Sequence, residues 1–196
     1  MSTTYPIKDK VTLNEFKKYY RFQNPNPRNY ALIILALNTA LRISDILQLT
    51  WQDIFDDRYQ HMREHLEITE QKTGKINVIA LNSNICQTFT EYKDFYFSQT
   101  AYCPSAYLFP SRKGSNQSLS RSQAFRIVKK AAAAVNLPSH ISCHSLRKTF
   151  GYHAWKQGTP PALLMDIYNH SSYKITKRYL CIEQDERDAV YRQIEL

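Results

Sequence analysis

Leu37-Asn38-Thr39-Ala40-Leu41-Arg42-Ile43-Ser44-Asp45-Ile46-Leu47-Gln48-Leu49 sets a single arginine inside an apolar stretch. The segment leading into it, Asn29 to Ala40, is almost wholly apolar and predicts a buried helix. A second helix is expected through Ile43, Ile46, Leu47 and Leu49, closed by Thr50-Trp51-Gln52-Asp53. Arg42 then falls at a break between two core helices. A cation there needs a partner, because an unpaired charge is costly to bury. Asp45, three residues on, is one candidate. The alternative is a phosphate, with Asp45 steadying the arginine from its other side.

Outward from this stretch the pattern stays mainly helical. Thr12-Leu13-Asn14-Glu15 reads as a capping box, so a short helix is expected after Thr12. Arg21 to Arg28, with Pro25 and Pro27, predicts a break. His65 to Glu70 alternates and Ile76 to Leu81 is rich in β-formers; Thr73-Gly74 between them makes a hairpin with Lys72 at its turn. Asn82 to Ser98 returns to helical spacing, and Gln99 to Leu119 is a loop with Pro104, Pro110 and Gly114. Ser120 should cap a helix to about Val135, and His144 to Gln157 should form another that stops at Gly158. Pro160 and Pro161 suit the first turn of a helix ending near Tyr168. Ser171-Ser172 can cap one through Tyr179. Asp185 to Ile194 is a last amphipathic helix, with Ala189, Val190, Ile194 and Leu196 as an apolar edge. The predicted fold class is mostly α with a small antiparallel β-sheet (α+β), in one domain over residues 1–196.

The chain of 196 residues carries 26 Lys and Arg against 17 Asp and Glu, a net charge of +9. The excess is one-sided. Residues 1–98 hold 12 basic and 11 acidic side chains, whereas residues 99–196 hold 14 and 6. From Arg112 to Arg178 there are 12 basic residues and one acid, Asp166. Such a field is the electrostatic footprint of a nucleic-acid surface, or simply a solvated basic face. The longest apolar run, Tyr30 to Leu37, is far short of the roughly 20 residues that span a bilayer. Four scattered cysteines form neither a disulfide framework nor a CxxC knuckle, which points to a reducing cytoplasm.

Several chemistries are weak or absent. With 4 glycines and no Gly-rich turn after a strand, nucleotide-binding loops are excluded. His61-Met62-Arg63-Glu64-His65 fits HxxEH, but that zinc motif requires a helix, and this stretch reads as a loop entering the hairpin. Cys143 and His144 are adjacent, which is poor geometry for a nucleophile and its base.

Ser142-Cys143-His144-Ser145-Leu146-Arg147-Lys148 is more informative. His144 and Arg147 are three apart and share a helix face, in what the pattern reads as its first turn. A helix N-terminus already favours anions, so a basic pair there calls for a compensating negative group such as phosphate. The ordinary reading is a surface pair facing solvent.

Taken together, the fragments resemble the catalytic domain of the tyrosine recombinases, the phage-integrase family. The resemblance runs from about Thr12 to Val190 in the family's order. Thr39 to Asp45 is similar to the first-arginine box, and Gln71-Lys72-Thr73-Gly74-Lys75 to the hairpin bearing the catalytic lysine. His144-Ser145-Leu146-Arg147 fits HxxR, and Asn169-His170-Ser171-Ser172 matches the later histidine segment. Tyr179 follows His170 by nine residues, as the family's nucleophile does. Asn169 stands where the family usually has Gly; Asn tolerates a left-handed backbone, so the turn can survive. Only about 11 residues precede the first helix, so the family's separate N-terminal core-binding domain is not expected within residues 1–196; the chain is then either an excised catalytic domain or similar to short single-domain members such as the fimbrial-switch invertases.

The resemblance implies a site-specific recombinase that cleaves and rejoins double-stranded DNA through a 3′-phosphotyrosine, with Tyr179 as nucleophile. His144 would be its base, Arg42 and Arg147 the stabilisers of the phosphoryl oxygens, and His170 a further donor. Lys72 would be the acid for the 5′-oxygen. No cofactor or metal is implied. Arg121, Arg126, Lys129, Lys130, Lys148 and Lys174 are candidates to meet DNA, and a homotetramer on paired sites is expected, with no membrane association. A type IB topoisomerase with the same chemistry, or a DNA-binding regulator without catalysis, are the alternatives.

Overall fold

The computed structural model describes residues 4–112 and 116–194. Gly114 and Leu196 lie outside these residues. Ten α-helices and four short strands are described. Among the described residues no helix is long and apolar enough to cross a membrane.

Helix α2 (Pro27–Thr39) is the axis of the core. Asn26 caps it by accepting the Asn29 N–H, and Pro27 fits its first turn, where no N–H is needed. Every residue from Ala31 to Leu37 is buried. A helix apolar on all sides must be covered on all sides. Two neighbours do most of this: α5 (Ser83–Phe97) and α7 (Cys143–Lys156) both pack on it. The helix ends at Ala40 in the left-handed region, φ 53°.

The expected capping box at Thr12 does not form. Helix α1 (Lys10–Lys18) starts earlier, because the Asp9 carboxylate takes the Thr12 N–H at 2.6 Å. A π-helical turn, Tyr19–Gln23, extends it, so the break shrinks to residues 24–26. The helix expected through Leu49 is a single turn, α3 (Ile43–Ile46). Thr50 does not close a helix but opens one, α4 (Trp51–Ile54), since Asp53 accepts from the Thr50 N–H at 2.7 Å and from its hydroxyl. Trp51 is buried against the α5 aromatics Phe89, Tyr92, Tyr96 and Phe97.

A small hairpin, β1 (Phe55–Asp56) with β2 (His61–Met62), was not expected from the sequence. The larger one is where the alternation puts it: β3 (His65–Thr69) pairs antiparallel with β4 (Ile76–Ala80), from His65 opposite Ala80 to Thr69 opposite Ile76. His61 and His65 thus sit on different strands, and the helix that HxxEH requires is absent.

The second half follows its caps. Ser120 forms a capping box with Gln123 on α6 (Arg121–Ala134), and Ser142 caps α7. Helix α8 (Pro161–Tyr168) ends on Asn169 at φ 54°, and Ser172 caps α9 (Tyr173–Tyr179). Helix α10 (Gln184–Gln193) is pinned to its own domain through Glu186, which takes Lys8 Nζ at 2.6 Å and the Tyr152 hydroxyl at 3.2 Å. Val190, Tyr191 and Ile194, one to two turns further along, stay exposed.

Helix α7 joins the main core to a second cluster of Ala40, Leu164, Tyr168, Leu180 and Ile182. Gly151 makes this junction possible. A Cβ there would lie 2.6 Å from Leu180 and would also strike the Tyr168 ring and hydroxyl. Gly151→Ala is therefore expected to destabilise the protein by about 1–3 kcal/mol through overpacking, despite a helix-propensity gain of about 1 kcal/mol. Urea denaturation checks this; equal or greater stability of the alanine variant would contradict the packing argument.

Candidate active site

A cleft of about 450 Å³ opens where α2, α3, the β3–β4 turn, α6 and α7 converge, lined by Arg42, Lys72, Arg121, His144 and Arg147 among others. The ring of His144 meets that of Tyr179 edge-on at 5.2 Å, and Tyr179 meets His170 at 5.1 Å. All six residues singled out as catalytic candidates therefore gather in one place. They come from five separate elements spread over 138 positions of chain, from Arg42 to Tyr179.

Arg147 is the deepest of them, 4% exposed. Its helix begins at Cys143, so Arg147 belongs to the second turn and not the first, and it faces the interior. Its Nη1 donates to the Ala40 carbonyl, which the left-handed end of α2 turns toward it. The guanidinium lies 4.8 Å from the Tyr168 ring centroid, and the Tyr168 hydroxyl donates back to the Arg147 carbonyl at 2.7 Å. No carboxylate pairs with this cation within 4.0 Å among the described residues.

Arg42 has a carboxylate partner, but not Asp45. Its Nη1 donates to Glu70 at 2.5 Å. Glu70 is 4% exposed and also accepts from the Thr73 hydroxyl at 2.9 Å. Burial pushes its pKa up, but the bonds from Arg42 and Thr73 and the charges of Arg42 and Arg147 outweigh this and hold it below the usual range. Asp45 instead accepts the Gln71 N–H at 3.2 Å and so fixes the turn that carries Lys72. Lys75, on the same turn, reaches Asn169 Oδ1 at 2.7 Å. The residue in the usual glycine position thus keeps its left-handed backbone and adds a tie to the hairpin.

Tyr179 is half-buried. Tyr168 and His170 contact its ring, and Lys148 Nζ lies 5.1 Å from its centroid. Its hydroxyl is buried and receives no hydrogen bond of full geometry, although the Arg147 guanidinium lies close enough to pull its pKa down. Burial pushes the phenol's pKa up to about 12, against the pull of the Arg147 and Arg42 charges. His170 is held by the buried Thr176, whose hydroxyl is 3.0 Å from Nδ1. Cys143 also lines the cleft, but burial pushes its thiol up to about 12, so it is no ready nucleophile.

Among the candidates for DNA contact, Lys148 is corrected. It is 8% exposed, and its ammonium donates to the Thr4 carbonyl at 2.6 Å. It supports Tyr179 from within. Lys129 is committed to the Ser139 carbonyl. Arg121 sits in the catalytic cleft itself, Lys174 is exposed on α9, and Arg126 and Lys130 line a second cleft. Glu70 was not read from the sequence as part of the site, whereas Lys148 was read as a DNA contact and Asn169 as a turn residue of the late histidine segment. Glu70 carried a signal, as an acid beside the suspected lysine.

His144 is exposed along one edge, yet its pKa is pushed down to about 4, by desolvation first and then by Lys148, Arg147, Arg42 and Lys72. It is neutral near pH 7, with a lone pair to accept a proton. Since its ordinary pKa is 6.5, the unfolded chain protonates first as pH falls, and folded stability is lost between 6.5 and about 4. Titrating His144 by NMR should give a midpoint near 4, and Lys72→Ala should raise it. A midpoint at 6.5 or above would mean that the cations do not act on this ring.

The match to a family model described as the phage integrase family spans residues 9–186. The chain is 39% identical over 193 residues to the probable integrase/recombinase YoeC of Bacillus subtilis (strain 168), covering 98% of this chain and 97% of that one. It is 27% identical over 191 residues to a tyrosine recombinase of Pseudothermotoga lettingae, covering 96% of this chain and 62% of that one. The crystal structure of XerA recombinase shares its fold, with TM-score 0.75 at 16% identity over 98% of this chain and 65% of the other. Matched along most of its length by the family model and nearly end to end by YoeC, the chain belongs to the phage integrase family of tyrosine recombinases.

Proposed function

We propose that the chain cuts double-stranded DNA by attack of the Tyr179 hydroxyl on a backbone phosphorus, and rejoins it to a partner strand. The observation that carries this is the Tyr179 hydroxyl, buried beside the Arg147 guanidinium without a hydrogen bond of full geometry, on a ring that meets His144 and His170. A buried donor without a partner is rare, and a phosphate seated on Arg42 and Arg147 would supply what it lacks.

In this reading each step falls to a named group. Neutral His144 takes the phenol's proton, needed because the phenol ionises far above neutral pH. Arg42 and Arg147 fork onto the non-bridging oxygens, where charge accumulates in the transition state. His170 donates a further hydrogen bond. Lys72 gives its proton to the departing 5′-oxygen from a side chain that is exposed at its turn. The product is a 3′-phosphotyrosine, which conserves the bond energy, so a 5′-hydroxyl from another duplex can attack it and release the tyrosine. DNA in the cytoplasm is the natural substrate of such chemistry. Among the described residues no group of three or more His, Cys, Asp or Glu is placed to hold a metal ion.

The test is covalent trapping on DNA nicked so that the cleaved fragment diffuses away. The native chain should form an adduct; Tyr179→Phe should bind DNA but form none. Adducts at native levels in that variant would remove Tyr179 from the role. Joining between two duplexes, rather than resealing of one, separates a recombinase from a topoisomerase.

Assembly belongs to the same reading. Helix α10 is anchored through Glu186, while Val190, Tyr191 and Ile194 present an apolar face to solvent. A tetramer on paired sites gives that face a use, as a contact with the next protomer. Val190→Glu with Ile194→Glu should leave binding to one site nearly unchanged and abolish cooperative binding to paired sites in gel shifts. Undiminished cooperativity would show that the assembly contact lies elsewhere.

A further inference from the structure

The segment that leads into α1, residues 4–8, has no regular structure, yet Thr4, Pro6 and Ile7 are buried. It lies along α7 as a strap. The Ile7 N–H donates to Thr149 Oγ1 at 2.8 Å, the Ile7 carbonyl lies 3.0 Å from His153 Nε2, and Lys8 reaches Glu186. The Tyr5 ring meets His140 edge-on at 4.7 Å. One tie runs from the helix to the strap: Lys148 donates to the Thr4 carbonyl at 2.6 Å. That ammonium has no carboxylate within 4.0 Å among the described residues. It also meets the end of α9, with Nζ 5.1 Å from the Tyr179 ring centroid and 3.8 Å from Cys181 Sγ. Cys181 stands in the left-handed region, φ 55°, and its thiol donates back to the Tyr179 carbonyl at 3.7 Å and toward the Thr4 carbonyl at 4.0 Å. Strap, α7 and the chain just beyond Tyr179 thus meet at one ammonium.

Stability does not account for a cation at this place. An ammonium taken out of water loses more than one carbonyl and an aromatic face return, and an apolar side chain of the same length would fill the space without that cost. What the ammonium adds is a hold on the phenol ring, whose face attracts it. The Tyr179 hydroxyl has no hydrogen bond of full geometry to fix the ring, so the ring is placed by its packing against Tyr168, His144, His170 and this cation. A lysine head on its flexible four-carbon stem must itself be held, and the Thr4 carbonyl does so. We infer that Lys148 is a positioning residue for Tyr179, and that the strap, through the Thr4 carbonyl, keeps Lys148 in place. The inference rests on the reading of Tyr179 as nucleophile. A misplacement of about 1 Å at the reacting groups is enough to slow a reaction about a hundredfold, so a tie that touches no DNA can govern the rate.

Two variants separate positioning from structure and from DNA contact. Lys148→Met keeps the length and removes the charge. Thr149→Val keeps the shape and releases the Ile7 N–H, which loosens the strap while Lys148 and Tyr179 stay chemically intact. Each is compared with wild type by urea midpoint, by affinity for duplex DNA, and by single-turnover adduct formation at saturating nicked DNA. Lys148→Met should be at least as stable as wild type, bind DNA with unchanged affinity and salt dependence, and form adduct about 10–100-fold more slowly. Thr149→Val should slow the same step at least about threefold, again at unchanged affinity. In protein carrying 3-fluorotyrosine, the Tyr179 resonance, assigned by its loss in Tyr179→Phe, should be single in wild type and shifted or broadened in Thr149→Val. An adduct rate for Lys148→Met within about twofold of wild type would overturn the inference. An affinity loss large enough to account for a lower rate would overturn it in favour of a DNA contact, and a lowered urea midpoint or failure to fold in favour of a purely structural lysine. An unmoved Tyr179 resonance in Thr149→Val would overturn the part given to the strap. If wild type forms no adduct, the cleavage reading fails alone, because the fluorine resonance reports the placement of the ring without chemistry.

Discussion

The buried guanidinium of Arg147 organises the molecule. A cation 4% exposed requires compensation, and here it receives a backbone carbonyl, an aromatic face and a distant carboxylate, but no direct counter-ion. Each of these supports imposes something on the fold. The carbonyl is that of Ala40, so α2 must end in a left-handed residue without the freedom of glycine. The aromatic face is Tyr168, whose approach to α7 requires the missing side chain of Gly151. Tyr179 then packs on Tyr168 and comes under the same charge. The position of Tyr179 thus follows from how one arginine is held.

That charge also sorts the protonation states around it. Burial first, and then the surrounding cations, keep His144 and His170 depressed, while the bonds from Arg42 and Thr73 hold Glu70 below the usual range. Tyr179 moves the other way, since desolvation outweighs the attraction of Arg147. A proton held tightly by a phenol beside a neutral imidazole is the starting arrangement for general-base catalysis. An incoming phosphate would neutralise part of the positive field and raise the basicity of His144 as the reaction begins.

Local patterns in the sequence were legible where the physics is local. Ser120 and Ser172 cap helices as read, the alternation from His65 and from Ile76 yields the hairpin, and the apolar run after Asn29 is the central helix. The six candidate residues were singled out through the order and spacing of motifs that resemble the family's, and the structure brings them close together. What failed was partner assignment. Arg42 was paired with an acid three residues away, but its true partner is 28 residues on, delivered by the hairpin. Lys148 reads as one more surface cation until α7 is docked and its position turns inward. Thr12 lost its cap to Asp9 because either carboxylate or hydroxyl can satisfy the first turn, and a charged acceptor is the stronger.

The hairpin shows how rigid and mobile parts of such a site can be separated. Its turn is fastened through the Glu70 carboxylate to Arg42, through the Gln71 N–H to Asp45, and through Lys75 to Asn169 beside His170. These ties bind it to both arms of the cleft. The backbone under Lys72 is therefore fixed at several points, while the Lys72 side chain itself is exposed and has no carboxylate partner within 4.0 Å among the described residues. A residue that must give up a proton late in a reaction, at an oxygen that moves as its bond breaks, benefits from a fixed base and a free head. Glu70 serves both sides of this arrangement. The same carboxylate orients Arg42 and closes the turn that presents Lys72, so the two groups are set relative to each other.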